Sequence, residues 1–228
     1  MQPIIRLQQI HKRIYSSDQC FTLLPRCNLQ ISEGDMVAIT GTSGSGKSTL
    51  LNILSCLDAP TSGSYYFKDT CINELSSEAL GSFRTLHFSH IFQSYWLIPH
   101  LSIMDNIVLP QYYQGRSLTK SEEDAHSIAK QLDISQHLDK KPKQLSGGQQ
   151  QRACIARALM SQTPVIFADE PTGALDQENS HAIMNIFKQL NQQQGKTIVI
   201  VTHDHEMANY CRLIHPVTSL FEPEAQND

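Results

Sequence analysis

A chain of 228 residues, 40% of them hydrophobic, is long enough for one α/β domain with a sizeable core and too short for two full domains. The formal net charge of −4 excludes a global basic field, so nucleic acid is not an expected partner. The six cysteines (Cys20, Cys27, Cys56, Cys71, Cys154 and Cys211) form no C-x-x-C pair and have no histidines at zinc spacing, which predicts buried thiols in a reducing compartment.

The N-terminal part reads as strand-rich. Short β-type runs at Ile4–Leu7, Leu29–Ile31 and Met36–Ile39 are separated by polar turns such as Ser32-Glu33-Gly34-Asp35. Directly after the third run comes Gly41-Thr42-Ser43-Gly44-Ser45-Gly46-Lys47-Ser48, a complete G-x-x-x-x-G-K-[ST] phosphate loop. Its glycines let consecutive backbone N–H groups turn inward around a phosphate chain, where side chains would obstruct them. Lys47 adds a mobile positive charge, and Ser48 supplies a hydroxyl for Mg²⁺. The run Ser48-Thr49-Leu50-Leu51-Asn52-Ile53-Leu54 begins a helix whose positive end faces the anion. A Gly/Ser-rich surface turn that binds nothing is the alternative; the strand before the motif and the helix after it argue for a nucleotide triphosphate site.

Beyond the turn at Asp58–Gly63, Ser64-Tyr65-Tyr66-Phe67 suits another strand. From about Gln93 to Gln144 the character becomes helical. Ala125, Ile128, Ala129 and Leu132 fall at i, i+3, i+4 and i+7, with Ser121-Glu122-Glu123-Asp124 as their expected cap. A helix follows from about Gly148 to Met160. Ile183, Ile186, Phe187 and Leu190 then mark one face of an amphipathic helix ending at Gly195, and Thr197–Val201 is a continuous apolar strand suited to the middle of a parallel sheet. Residues 222–228 are expected to be a frayed tail.

Two further clusters carry chemistry. Pro164-Val165-Ile166-Phe167-Ala168 is a buried strand that delivers Asp169 and Glu170 to its C-terminal end, where open α/β sheets bind ligands. Asp169 is the candidate carboxylate for Mg²⁺, and Glu170 the candidate base for an attacking water. The alternative is that the pair merely opens the loop Pro171-Thr172-Gly173. The run Leu145-Ser146-Gly147-Gly148-Gln149 makes a second helix N-terminus with unpaired N–H groups and a small hydroxyl. One nucleotide hardly needs two phosphate cradles, so this one is expected to grip the γ-phosphate held by a second copy of the chain.

With these motifs in order, the sequence resembles the nucleotide-binding subunit of ABC transporters over nearly its whole length. The resemblance rests on Gly41–Thr49, Gln93 in Ile91-Phe92-Gln93, Leu145–Gln149, Asp169 and Glu170, Ala174-Leu175-Asp176, and His203 in Thr202-His203-Asp204. It implies that Gln93 approaches Mg²⁺ and the attacking water while linking the nucleotide to a transmembrane partner. It also implies that His203 contacts the γ-phosphate, that Asp176 communicates across a dimer, and that Tyr15 stacks on adenine, a plain surface or core tyrosine being the alternative for Tyr15. The implied fold is a P-loop NTPase cassette: an N-terminal antiparallel β subdomain, a RecA-like mostly parallel sheet, and an inserted α-helical subdomain at about 94–160 within a single domain 1–228. Within the family the sequence resembles the lipoprotein-release, macrolide-export and antimicrobial-peptide-resistance branch. It departs from family pattern at Ser89, where relatives often have glycine, and at 211–217, which lacks the usual acidic-glycine turn.

These readings lead to an expected function: an ATPase that uses ATP and Mg²⁺ in a head-to-tail homodimer and powers a separate permease. A P-loop kinase or GTPase would not need the Ser146 helix, and the chain has no N-K-x-D motif. A single-cassette regulator of cell division is the remaining rival; a degenerate, non-hydrolysing cassette conflicts with the presence of Lys47, Glu170 and His203. No apolar stretch approaches the ~18 to 20 residues of a membrane span, and Met1–Arg6 has no signal-peptide core. The chain is therefore expected at the cytoplasmic face of the membrane, held there by its partner.

Overall fold

The computed structural model describes residues 3–16 and 19–222. The chain opens with two long strands, β1 (Pro3–Ser16) and β2 (Gln19–Ser32), paired antiparallel from Pro3 opposite Ser32 to Ser16 opposite Gln19. The expected runs at 4–7 and 29–31 are only the inner ends of this ribbon. Its ladder slips between Leu7 and Ile10, where Gln9 has φ 52° and donates its N–H to Asn28 Oδ1 at 2.9 Å, so apolar alternation is broken and the outer half is largely exposed, Ile14, Tyr15, Phe21 and Leu23 included.

The turn 32–35 forms as expected: Asp35 N–H donates to Ser32 O at 3.1 Å, and Asp35 Oδ2 accepts from Ser32 N–H at 2.8 Å. It leads into β3 (Met36–Thr40), which is followed by α1 (Lys47–Leu54), β4 (Ser62–Phe67) and β5 (Thr70–Cys71). Next come α2 (Ser77–His87) and β6 (Phe88–Ile91), an element pair that the apolar pattern did not announce. No residue of α2 is buried, and the helix meets the core only through the partly buried Leu80 and Phe83, which explains the weak periodic signal.

Helices α3 (Ile103–Tyr113), α4 (Leu118–Gln131) and α5 (Gly147–Met160) pack on one another. The expected cap at Ser121 is corrected. Helix α4 begins a turn earlier, after Ser117, and the Ser121 hydroxyl is buried and donates back to Ser117 O at 2.9 Å, so Ser121–Asp124 lie within the helix. The real capping boxes are Ser102 with Asp105 on α3 and Ser146 with Gln149 on α5.

The chain then runs through β7 (Val165–Asp169), α6 (Gln177–Gln194), β8 (Thr197–Thr202), the short α7 (His205–Ala208) and β9 (Leu213–Pro216). Two sheets result: an antiparallel one in the order β2-β1-β4-β5, and one in the order β6-β7-β8-β3-β9 whose strand pairs are all parallel. The parallel sheet is apolar on both faces. Ala38, Ile166, Ala168, Ile198 and Ile200 face the core shared with the helices α3–α6; Ile39, Val165, Phe167, Val199 and Val201 face the core shared with α1 and the antiparallel sheet. Successive side chains alternate between these cores, which is why β3 and β8 read as unbroken apolar runs.

The stretch 211–217 contains a true last strand, β9, despite its unfamiliar sequence. Arg212 donates its backbone N–H to Met36 O at 3.1 Å and pairs its guanidinium with the buried Asp35 carboxylate, placing Leu213 beside Val37. Ser89 has a structural use as well: its buried hydroxyl donates to Ala158 O at 2.9 Å and lies 2.5 Å from Thr163 Oγ1, tying β6 to the end of α5. Of the expected tail, Glu222 is anchored instead of frayed, with Oε1 accepting from Gln9 Nε2 and Asn28 Nδ2 at 2.9 Å each; residues 223–228 lie outside the described residues. No helix among the described residues is long and apolar enough to cross a membrane.

Candidate active site

Parallel registration is what assembles the site. Thr40 stands beside Thr202, and Asp169 beside Val201, so the loops leaving β3, β7 and β8 emerge together at one edge of the sheet. They surround a cavity of about 960 Å³ lined by Gly41, Thr42, Ser43, Gly44, Gly46, Lys47, Ser48, Thr49, Gln93, Glu170 and His203. That volume suits a nucleotide-sized ligand.

The phosphate loop is bent by its own sequence. Gly46 has φ 92° and is the residue before α1, and a Cβ there would lie 2.9 Å from Leu23 O, so the site needs glycine for conformation and for space. Ser45 Oγ donates to Thr42 O at 2.8 Å, and Lys47 Nζ donates to Gly41 O and Thr42 O at 2.7 Å each. Helix α1 has no acidic residue in its first turn and no side chain capping its start, leaving its N–H groups and dipole for an anion.

Ser48, which lines the cavity, has its Oγ 3.5 Å from Oδ1 of Asp169, which does not. Burial first, and then the charge of Glu170, raise the Asp169 carboxyl above the ordinary carboxylate range, opposed by the Ser48 hydroxyl and Lys47. A divalent cation would relieve that unfavourable charge. The donors present, a serine hydroxyl, a carboxylate and the Gln93 amide, are hard oxygens few enough to suit Mg²⁺, which fills its octahedron with water and phosphate oxygens. Among the described residues no group of three His, Cys, Asp or Glu comes together in a way that could hold a metal ion.

Glu170 has φ 44°, a left-handed conformation that a glutamate adopts at a cost, and is held there by its N–H donating to Val201 O at 2.9 Å. Its Oε1 accepts from His203 N–H at 3.1 Å and lies 2.8 Å from His203 Nδ1; its Oε2 accepts from Thr202 Oγ1 at 3.1 Å. An ionised carboxylate can only accept, so His203 carries its proton on Nδ1 and keeps Nε2 for another partner. Thr202 is a positioning group that motif reading missed. Its only sequence signal is a hydroxyl at the last position of an apolar strand. Thr22, Leu23, His205 and Pro216 also line the cavity and carry no motif that could have identified them.

The remaining candidates lie elsewhere. Tyr15 is 75% exposed near the tip of the β1–β2 ribbon, opposite Cys20, and does not line the cavity. Ser146, Gly147, Gly148 and Gln149 form the start of α5, also outside the cavity lining, where Ser146 Oγ accepts from Gln149 N–H and Gln149 Oε1 accepts from Ser146 N–H at 3.0 Å. They adjoin the start of α6: a Cβ on Gly148 would meet Asn179 Oδ1 at 2.6 Å. Asp176 caps α6, accepting from Asn179 N–H and Nδ2 at 2.8 Å each, and the first of these bonds lowers its carboxyl pKa.

Known proteins resemble this chain in sequence and fold. A family model described as "ABC transporter" matches residues 24–173. The "Macrolide export ATP-binding/permease protein MacB" of Pasteurella multocida is 46% identical over 209 residues, which are 92% of this chain and 32% of that protein. The "Probable syringafactin export ATP-binding/permease protein SyfD" of Pseudomonas syringae pv. syringae is 44% identical over 211 residues, with the same two shares. The chain thus spans roughly a third of the length of these curated relatives. Among solved structures, one described as "Dimeric Structure of MJ0796, a Bacterial ABC Transporter Cassette" superposes with a TM-score of 0.86 at 39% identity, covering 93% of this chain and 94% of that one. A second MJ0796 structure, described as a post-hydrolysis state bound to ADP and Pi, matches with a TM-score of 0.86 at 38% identity.

Proposed function

The chain belongs to the ABC transporter family of ATP-binding cassettes, and from that premise we propose that it hydrolyses ATP between two copies of itself to drive a membrane permease of the export type. One observation carries the reading: two helix N-termini built for anions, at Lys47 and at Ser146, occupy different places on one chain, and only the first lines the nucleotide cavity. A head-to-tail dimer brings the second to the first. The dimeric MJ0796 cassette supports this, and the export names of the relatives support the permease reading.

In this site the N–H groups of Gly41–Thr49 and the Lys47 ammonium bind the phosphate chain. Ser48, Asp169 and Gln93 hold Mg²⁺, which supplies charge neutralisation at the phosphates when bound. Glu170 accepts the proton of the attacking water; it is kept in place by Thr202 and His203, and His203 Nε2 is available to the γ-phosphate. The partner subunit's Ser146, Gly147, Gly148 and Gln149 close over the phosphate, with Asp176 at the same seam. Tyr15, on the exposed ribbon, is the proposed adenine platform in that closed state.

We read the chain as one cassette, 1–228, in which about 94–160 is the signature-bearing helical part. The permease's cytoplasmic segment is assigned to a groove of about 370 Å³ lined by Arg84, Phe88, Phe92, Pro110, Tyr113 and Arg157, which adjoins the Gln93 loop. On this reading the protein works at the cytoplasmic face of the membrane, held there by its partner. The test of the shared site uses Ser146→Arg mixed with Lys47→Ala protein. Each variant alone is inactive, and mixing restores activity at the one site that combines an intact Lys47 with an intact Ser146. Activity of Ser146→Arg alone in a strictly monomeric preparation overturns the reading.

A further inference from the structure

The glutamine loop contains a local conformation that its sequence should resist. Tyr95 has φ 62° and Trp96 has φ 49°: two consecutive bulky residues in the left-handed region, two and three positions after Gln93. Such a pair persists only where surrounding groups over-determine it. Within the loop itself the support is local: Tyr95 N–H donates to Phe92 O at 3.1 Å, Trp96 N–H donates to Ser94 O at 2.7 Å, and the Trp96 ring stacks on Phe92 at 4.5 Å.

The other restraints come from α5, the helix that begins at Ser146. Arg157 Nη1 donates to Trp96 O at 2.6 Å, and Nη2 donates to Tyr95 O at 3.0 Å; the buried Cys154 thiol donates to the same Tyr95 carbonyl at 2.9 Å. At the start of the helix, Gly147 makes room for the Tyr95 hydroxyl, which a Cβ would meet at 2.9 Å. Positions 147, 154 and 157 are spaced by seven and three residues and share one face of α5. The planar fork of arginine suits two adjacent carbonyls in a way a lysine ammonium does not. On its other side the loop meets the Glu170 turn, because Gln93 Nε2 lies where a Cβ on Gly173 would contact it at 3.1 Å.

We propose that Arg157 is a positioning residue for ATP hydrolysis: by forking onto the Tyr95 and Trp96 carbonyls it holds the strained turn that sets Gln93 in the cavity, and so makes the glutamine loop follow the signature helix. This rests on the ATPase reading above. Arg157 touches neither the cavity nor the reacting atoms; it acts through backbone that Gln93 shares. The direction of coupling is set by the bonds: a shift of α5 as Ser146 engages a neighbouring nucleotide pulls on the two carbonyls, and Gln93 moves relative to Asp169 and Glu170.

Trp96 is the single tryptophan of the chain and is 65% exposed, so its emission reports the turn without any label. Full-length wild type, Arg157→Lys and Arg157→Gln are compared for acrylamide quenching of Trp96, thermal midpoint, and steady-state ATPase kinetics at saturating Mg²⁺. A displaced catalytic group costs on the order of 10- to 100-fold. Arg157→Gln is therefore expected to lose about that much kcat with KM for ATP within about threefold, and its Trp96 becomes more readily quenched without nucleotide. Arg157→Lys, keeping one bond, recovers part of both changes, and remains the informative variant if the glutamine protein does not fold. Unchanged quenching in both variants, or a kcat loss no larger than the loss of folded protein, overturns the proposal. A wild type without Mg²⁺-dependent ATPase activity defeats the underlying function instead.

Discussion

Replacing Glu170 with glutamine separates what this side chain does for the fold from what it does for the reaction. Three donors converge on the carboxylate: His203 N–H at 3.1 Å, His203 Nδ1 at 2.8 Å and Thr202 Oγ1 at 3.1 Å. A glutamine keeps Oε1 for His203, and its amide can donate to Thr202 Oγ1 if that hydroxyl turns. The fold loses the difference between charge-assisted and neutral hydrogen bonds, about 1 kcal/mol. For a cassette of this size the thermal midpoint moves by roughly 2 to 4 °C. The reaction loses its base, typically 10²- to 10⁴-fold in rate, or ~3 to 6 kcal/mol at ~1.4 kcal/mol per tenfold. Phosphate release, nucleotide binding and oligomeric state are measured side by side. The expected result is near-abolished turnover with ATP still bound and the closed dimer accumulating. Turnover within about threefold of wild type refutes Glu170 as the base.

Two other substitutions test the electrostatics and the backbone of the same site. The Asp169 carboxyl is raised by burial and by Glu170, so the folded state holds its proton more readily than the unfolded chain does. The penalty for ionised Asp169 is therefore absent below the unfolded value of ~4 and complete once pH has risen through the folded one. Without metal or nucleotide, Asp169→Asn should melt higher than wild type at pH 7.5, lose that advantage below ~pH 4, and lose Mg²⁺-dependent turnover; a lower midpoint at pH 7.5 contradicts the assignment. Gly46→Ala forces a Cβ into φ 92° and to 2.9 Å from Leu23 O. A cost of about 1 to 3 kcal/mol predicts a midpoint lower by roughly 2 to 12 °C together with weakened ATP binding, and an unshifted midpoint in differential scanning calorimetry would show the loop unstrained by the change.

Residue sequence alone determined what is local. The phosphate loop is legible because eight consecutive residues carry both the conformational freedom and the charge that a phosphate requires, and the buried strands are legible because a parallel sheet covered on both faces has no polar position to interrupt the run. The start of α4 was misread because Ser121 looks like a cap while its hydroxyl bonds backward to Ser117. Helix α2 and the outer half of the β1–β2 ribbon were missed because neither sets a regular apolar face against the core.

Only the tertiary structure decided which polar groups meet. Glu170 and His203 are far apart in the chain, and the register of β7 beside β8 brings them to 2.8 Å; Thr202 joins them by the same register, without a motif of its own. The structure also decided that Ser146 and Lys47 do not share a cavity within one chain, and that Arg157 and Cys154 restrain a turn some sixty residues earlier in sequence. Spacing along a chain reports conformation within a turn of helix or a step of strand. The meeting of distant side chains depends on sheet order and helix packing, which are set by the whole core at once.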